Sequence, residues 1–286
     1  MAEVKSFFDK DTSTLTHIVY DPTTRDAVVI DPVMDFNLQT FKWAQHSVEQ
    51  IVHFCQDLKL HIHSILETHA HADHLSGSQL LKDFYPKAKI CIGKEITSVQ
   101  KHFSEFFELE NFPCDGSQFD LLFENAKQLN AGSLSIKTWH TPGHTPACYT
   151  LQIEDKLFTG DALFAPDIGT GRCDFPGGSA KDLFNSIKNT IYKQNDHSEV
   201  YFGHDYPDGK REVMEHVSLA SEKKTNARLK VSTKEEDFVK ARTHRDEELA
   251  PPKLFLPSLL VNIAGGRLPP KRKSGKVFFS FPLNSL

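Results

Sequence analysis

The chain has 286 residues, of which 39% are hydrophobic and 25% charged, and its formal net charge is −5. That length allows one large or two modest domains with a substantial core, in a composition typical of soluble globular proteins. The mild acidity excludes a general attraction to nucleic acid or to an anionic membrane surface, and no apolar run approaches the roughly 20 residues needed to span a bilayer.

The opening stretch, Met1 to Asp9, lacks the basic start and apolar centre of a secretory signal, and its acidic residues argue against a transit peptide, so a cytoplasmic location is expected. The five cysteines, Cys55, Cys91, Cys114, Cys148 and Cys173, are far apart and form no C-x-x-C pair. Neither a disulfide framework nor a structural zinc knuckle is expected, and most of them read as small buried hydrophobes.

Ser13 to Tyr20 and Ala27 to Ile30 are β-rich runs joined by Asp21-Pro22-Thr23-Thr24-Arg25-Asp26, a hairpin turn, and Asp31-Pro32 stops the second strand. Val48, Ile51, Val52, Cys55 and Leu58 give residues 47 to 60 a helical spacing. A short apolar run, Ile62 to Leu66, then leads into Thr68-His69-Ala70-His71-Ala72-Asp73-His74, and a helix is expected over Leu75 to Phe84. Three imidazoles and a carboxylate thus crowd into six residues where a strand should end. The i, i+2 spacing of His69 and His71 lets two rings converge from extended backbone, a pattern that suits a borderline divalent metal.

Lys89 to Ile92 reads as a strand and Glu95 to Phe107 as a helix. Ser133 to Trp139 is a strand leading into His140-Thr141-Pro142-Gly143-His144-Thr145, and Ala147 to Ile153 with Lys156 to Thr159 form a hairpin that ends at Gly160-Asp161. Lys181 to Tyr192 is an amphipathic helix with Ser179 as its cap. Glu199 to Phe202 is a further strand, ending at Gly203-His204-Asp205-Tyr206. Four strand ends therefore present His or Asp, and strands lying side by side would gather them into a loop-built metal site at one edge of the sheets. Beyond residue 209 the chain reads as helical and charged, and its proline-rich tail is apolar at Leu254, Phe255, Leu256, Leu259, Leu260, Val261 and Ile263, which argues for packing on the body. No internal repeat at a solenoid period and no low-complexity segment is present, although the halves 1 to 122 and 133 to 204 are loosely similar in their order of elements.

The set His69-x-His71-x-Asp73-His74, followed by His144, Asp161 and His204, resembles the metal-binding motifs of the metallo-β-lactamase superfamily. The resemblance implies an α/β fold, an αββα four-layer sandwich over residues 1 to 209, with a helical and proline-rich extension, 210 to 286, packed on the same domain. It implies no single reaction, since such folds host many. The segment Gly171-Arg172-Cys173-Asp174-Phe175 is similar to that of the persulfide dioxygenases, which oxidise glutathione persulfide to sulfite and glutathione. Phe238-Val239, Arg242, Arg245-Asp246, Pro257-Ser258-Leu259, Asn262 and Leu268-Pro269 resemble the C-terminal run of the bacterial branch of that family. Where animal members carry a cysteine two residues before the arginine this chain has Thr170, and Cys173 follows instead, so any redox role of the family cysteine does not transfer.

By resemblance, His69, His144 and Asp161 hold one Fe(II) per chain and leave positions open for a persulfide sulfur and O2. Zinc has no redox states for that chemistry. His71, Asp73, His74 and His204 would then orient ligands and bound water by hydrogen bonds, with Asp73, His74 and Tyr206 the expected catalytic side chains. The same seven residues suit two zinc ions in the manner of glyoxalase II. His69, His71 and His144 would hold one, Asp73, His74 and His204 the other, and Asp161 would bridge them while a shared hydroxide attacks a glutathione thioester. Arg172 is the candidate for a glutathione carboxylate, with an ion pair to Asp174 as its structural alternative. Tyr206 would hydrogen-bond the substrate or pack with its hydroxyl satisfied, Cys173 reads as a buried inert thiol, and Lys271-Arg272-Lys273 as a solvated loop. The partners implied are glutathione persulfide and O2, a sulfurtransferase that supplies the persulfide, and a second copy in a homodimer, with neither nucleic acid nor membrane.

Overall fold

Short runs buried on both faces build the first half of the molecule, whose structure is a computed structural model describing residues 1–209 and 211–283. The first strands are β1 (Glu3–Asp9), β2 (Thr14–Tyr20) and β3 (Asp26–Ile30), followed by β4 (Val33–Asn37), β5 (Lys42–Ala44), α1 (His46–Asp57) and β6 (His61–Leu66). After the histidine-rich loop come β7 (Leu75–Ser76), α2 (Ser78–Phe84), β8 (Lys89–Gly93), α3 (Ile96–Phe106) and β9 (Leu121–Phe123). The first sheet runs β1-β2-β3-β6-β8-β9, antiparallel at its N-terminal hairpins and parallel from β3 to β9. The hairpin turn is held by Asp21, whose carboxylate accepts from the N–H groups of Thr23 and Thr24.

The second half repeats the plan with β10 (Lys127–Ala131), β11 (Leu134–His140), β12 (Tyr149–Ile153), β13 (Lys156–Phe158), α4 (Ala180–Asn189), β14 (Glu199–Tyr201) and β15 (His216–Ser218). Those six strands pair in chain order, with only β13 and β14 parallel. The chain continues through α5 (Leu219–Thr225), α6 (Glu235–Glu247) and α7 (Phe255–Asn262).

The period-two pleat explains the layering. Val28 and Ile30 of β3 face the second sheet, meeting Leu134, Ile136, Leu151 and Phe158. Ala27 and Val29 face the other way, onto Val48, Ile51 and Val52 of α1, with Val99 and Phe103 of α3 in the same core. On the far side Leu157 and Val200 pack under Leu183 and Ile187 of α4. The result is the expected αββα sandwich. Leu259, Leu260 and Ile263, at and just beyond the end of α7, join the α1–α3 core, which is how the C-terminal extension sits against the body. No described helix is long and apolar enough to cross a membrane.

Some boundaries differ from expectation: the helix expected over Lys181 to Tyr192 ends at Asn189, with a separate 3-10 turn over Ile191–Lys193. Leu75 opens not a helix but the two-residue strand β7, in which Met34 pairs with Leu75 and Val33 with Ser76, and α2 starts at Ser78. Gly77 makes the change of direction possible, because a Cβ there would lie 2.8 Å from the carbonyl oxygen of Val33. Leu58 also departs from its expected core role, lying exposed as the residue that ends α1.

Candidate metal centre

Each expected ligand lies just past the C-terminal end of a strand. His69, His71, Asp73 and His74 follow β6 of the first sheet, whereas His144, Asp161 and His204 follow β11, β13 and β14 of the second. At the turn into Asp161, a Cβ on Gly160 (φ 49°) would come within 2.5 Å of Thr68 Oγ1, so only glycine lets the two loops touch. Six of the seven side chains are buried; Asp73 is 24% exposed.

The hydrogen bonds behind the rings settle which nitrogen is free. Thr68 Oγ1 donates to Asp31 Oδ2 at 2.7 Å, and a carboxylate can only accept. The hydroxyl must therefore accept from His69 Nδ1–H, 3.0 Å away, which leaves the lone pair on His69 Nε2. His144 Nδ1–H donates to the carbonyl of Arg172 at 2.6 Å and His204 Nδ1–H to that of Ser13 at 3.1 Å, so both again offer Nε2. His74 Nδ1 lies 3.3 Å from Thr14 Oγ1. His71 is turned the opposite way, with Nε2 at 3.0 Å from Asp31 Oδ1 and 3.5 Å from Glu67 Oε2, ion-pair contacts without hydrogen-bond geometry.

The ligand atoms fall into two sets, each within 4.8 Å of one another: His69, His144 and Asp161, and His71, Asp73, His74 and His204, so His71 groups with the second set and not with His69 and His144 as the two-zinc arrangement expects. Asp161 sits between them. Its Oδ2 is 3.5 Å from His144 Nε2 and its Oδ1 is 3.5 Å from His204 Nε2, which is also 3.2 Å from Asp73 Oδ2. Among the described residues, His69 Nε2, His71 Nδ1, His74 Nε2, His204 Nε2, Asp73 Oδ2 and Asp161 Oδ1 are buried without a hydrogen-bond partner in the protein. Such groups cost about 1–3 kcal/mol each when left unpaired, and six of them spread over the two sets fit bound cations. Imidazole nitrogens with carboxylate oxygens suit zinc or ferrous iron.

Charge is arranged to match. Burial, and then the neighbouring His71 and His144, hold His69 well below its ordinary pKa, keeping it neutral as a ligand must be. At His71 burial opposes protonation, but Asp31 and Glu67 outweigh it and raise the ring well above the usual value, so a cation taken up at Nδ1 would have to displace a proton from this ring. Burial likewise opposes ionisation of Asp73, yet His204 and His74 bring its carboxyl well below the ordinary range.

Tyr206 stacks on His204, ring centroids 5.8 Å apart at 12°, and meets Phe164 edge-on. Tyr206 is 41% exposed, and desolvation together with the Asp73 and Asp161 carboxylates raises its phenol above the usual pKa, with Arg172 opposing. Arg172 is heavily engaged. Its Nε and Nη2 fork onto Asp174, Nη1 donates to the carbonyl of Ala250 and Nη2 to that of Leu249, which uses four of its five N–H donors. Cys173 is buried, its backbone N–H donates to Asp246, and burial together with Asp246 pushes its thiol pKa up, so the thiol stays protonated.

The sequence reading passed over Asp31, Glu67, Thr68 and Ser13. Asp31 takes the left-handed region (φ 51°) to turn its carboxylate back onto Thr68 and His71. Its one signal was a place at a strand end beside proline, which reads equally well as a strand stop.

Residues 12–204 match the sequence model of the Metallo-beta-lactamase superfamily. The chain is 40% identical over 287 residues to a protein of Dictyostelium discoideum named Glyoxylase B2, covering 100% of this chain and 98% of that one. It is 30% identical over 240 residues to the Homo sapiens protein named Persulfide dioxygenase ETHE1, mitochondrial, covering 83% and 79% of the two chains. The crystal structure of ETHE1 from Myxococcus xanthus superposes with a TM-score of 0.73 at 28% identity, covering 93% of this chain and all of that one. The matched residues contain all seven ligands, and on these grounds the chain belongs to the metallo-beta-lactamase superfamily.

Proposed function

We propose that this protein is an Fe(II)-dependent persulfide dioxygenase that takes glutathione persulfide, O2 and water to glutathione, sulfite and two protons. The observation that carries the reading is the set His69, His144 and Asp161, with one ligand atom from each within 4.8 Å of the others. Two neutral imidazoles and a carboxylate are the donor set of non-haem iron oxygenases. The likeness to two proteins named ETHE1 supports it. Ferrous iron bound there supplies electron transfer to O2 and open positions for both reactants.

The chain's own side chains orient and exchange protons. The carbonyls of Arg172 and Ser13 and the hydroxyl of Thr68 fix the imidazole tautomers. Tyr206 donates toward the substrate. Asp73, the most exposed of the seven and paired with His204, gives the released protons a way out, with His74 alongside. A sulfurtransferase that loads glutathione with sulfane sulfur is the proposed supplier.

A second reading, a dizinc glutathione thioester hydrolase, is favoured by the second set, His71, Asp73, His74 and His204, and by Asp161 turning one oxygen to each set. The name Glyoxylase B2 of a 40% identical relative points the same way.

The test is oxygen uptake by protein loaded anaerobically with Fe(II), on addition of fresh glutathione persulfide, with sulfite followed in the same vessel. Rapid uptake with matching sulfite is expected, and Asp161→Ala should abolish both. No uptake by folded, fully iron-loaded protein would overturn the dioxygenase, and hydrolysis of S-lactoylglutathione by the zinc-loaded form would install the second reading.

A further inference from the structure

The helix α7 lies outside the residues that match the family model and carries none of the seven ligands, yet it reaches the metal loop. Asn262 closes that helix and is buried. Its Nδ2 donates to the carbonyls of His71 and His74, each at 2.8 Å, and its Oδ1 accepts from the N–H of Ser76 at 2.8 Å. Both carboxamide N–H groups are used, and both go to backbone oxygens of ligand residues. The opposite flip would set Oδ1 against two carbonyls, so the amide has one orientation.

Residues 67–74 form neither helix nor strand; the carbonyl of Thr68 accepts from the N–H of Tyr149 at 2.9 Å, while those of His71 and His74 are held by Asn262. Asn262 bridges two carbonyls three residues apart, and between and beside them stand the side chains of His71, Asp73 and His74. We infer that Asn262 is a positioning residue of the metal centre, and that α7 sets the span of the turn presenting those three ligands. The inference rests on the reading that these side chains hold a metal. A positioning residue moves the geometry of a bound ion, whereas a merely structural asparagine moves only the stability of the fold.

The test uses cobalt(II) as the probe in the full chain, wild type against Asn262→Asp, an equal-sized side chain that keeps the acceptor for Ser76 but loses the paired donation. Under conditions where circular dichroism shows both folded, the variant should bind cobalt about 10–100-fold more weakly, as other outer partners of metal ligands do when lost, and its visible d–d bands should shift. Equal affinity with unchanged bands, whatever the melting temperature, would overturn the inference. A wild type that binds no cobalt would remove the metal reading itself, and the inference with it. Should the variant not fold, hydrogen exchange of the wild type with and without zinc decides. Added zinc should slow exchange in α7 more than in α1, which packs in the same core but gives the loop no hydrogen bond. Equal slowing in the two helices would overturn it.

Discussion

Arg172 shows how far one side chain can be claimed by its surroundings. The fork that could grip a substrate carboxylate already grips Asp174 and two carbonyls at the end of α6, while its own carbonyl orients His144. Hydrogen bonds to charged groups contribute about 1.5–3 kcal/mol when well formed, and this guanidinium is 20% exposed. Arg172→Ala is therefore expected to lower stability to urea by about 1–3 kcal/mol. A variant of wild-type stability with a raised KM for glutathione persulfide would return Arg172 to substrate binding. Asp174 was readable as a partner because it is two residues away; Leu249 and Ala250, which complete the cage, lie more than seventy residues on and leave no local mark.

At the scale of elements, α5 buries an acid. Glu222 is fully buried and hydrogen-bonded to Asn226, and burial, with Asp167 adding, raises its carboxyl from 4.5 to about 8 despite that bond. Between those two values the folded chain holds a proton that the unfolded chain has released, so stability falls as pH rises through the window, by at most about 1.4 kcal/mol per pH unit. Glu222→Gln should flatten that decline, leaving the variant more stable than wild type at pH 8 by thermal or urea melts. Parallel pH–stability curves for the two proteins would contradict the assignment. Elements with strong periodicity, such as α4 with its Ser179 cap, were legible from sequence alone. Others were not. Lys127–Ala131 has no β-rich run and becomes the strand β10 because β11 offers it an edge, while β4, β5 and β7 are short and exist through pairing with one another.

For the whole molecule, the candidate metal motif was readable because four of its seven residues fall within six positions and the rest follow glycine-bearing strand ends. Their second partners were not, since Asp31, Ser13 and Asn262 earn their places only through the tertiary fold. A bound ion should tie these parts together: free zinc at a hundred times its Kd stabilises by about 2.7 kcal/mol. The thermal midpoint is expected to rise by roughly 5 °C or more and to fall back on chelation. A midpoint indifferent to zinc and to chelator would deny the seven residues their ion.

The hydrogen bonds from His204 to Ser13 and from Asn262 to His71 each join residues 191 positions apart. Closing loops of that size is entropically costly and slow compared with forming local turns. The cluster from His69 to His74 can gather early in folding, but its backbone turn and the ring of His204 are fixed only when the first hairpin and α7 have both docked. A nascent chain therefore carries only part of the candidate site until α7 has emerged, and the arrangement of the seven side chains is completed late in folding.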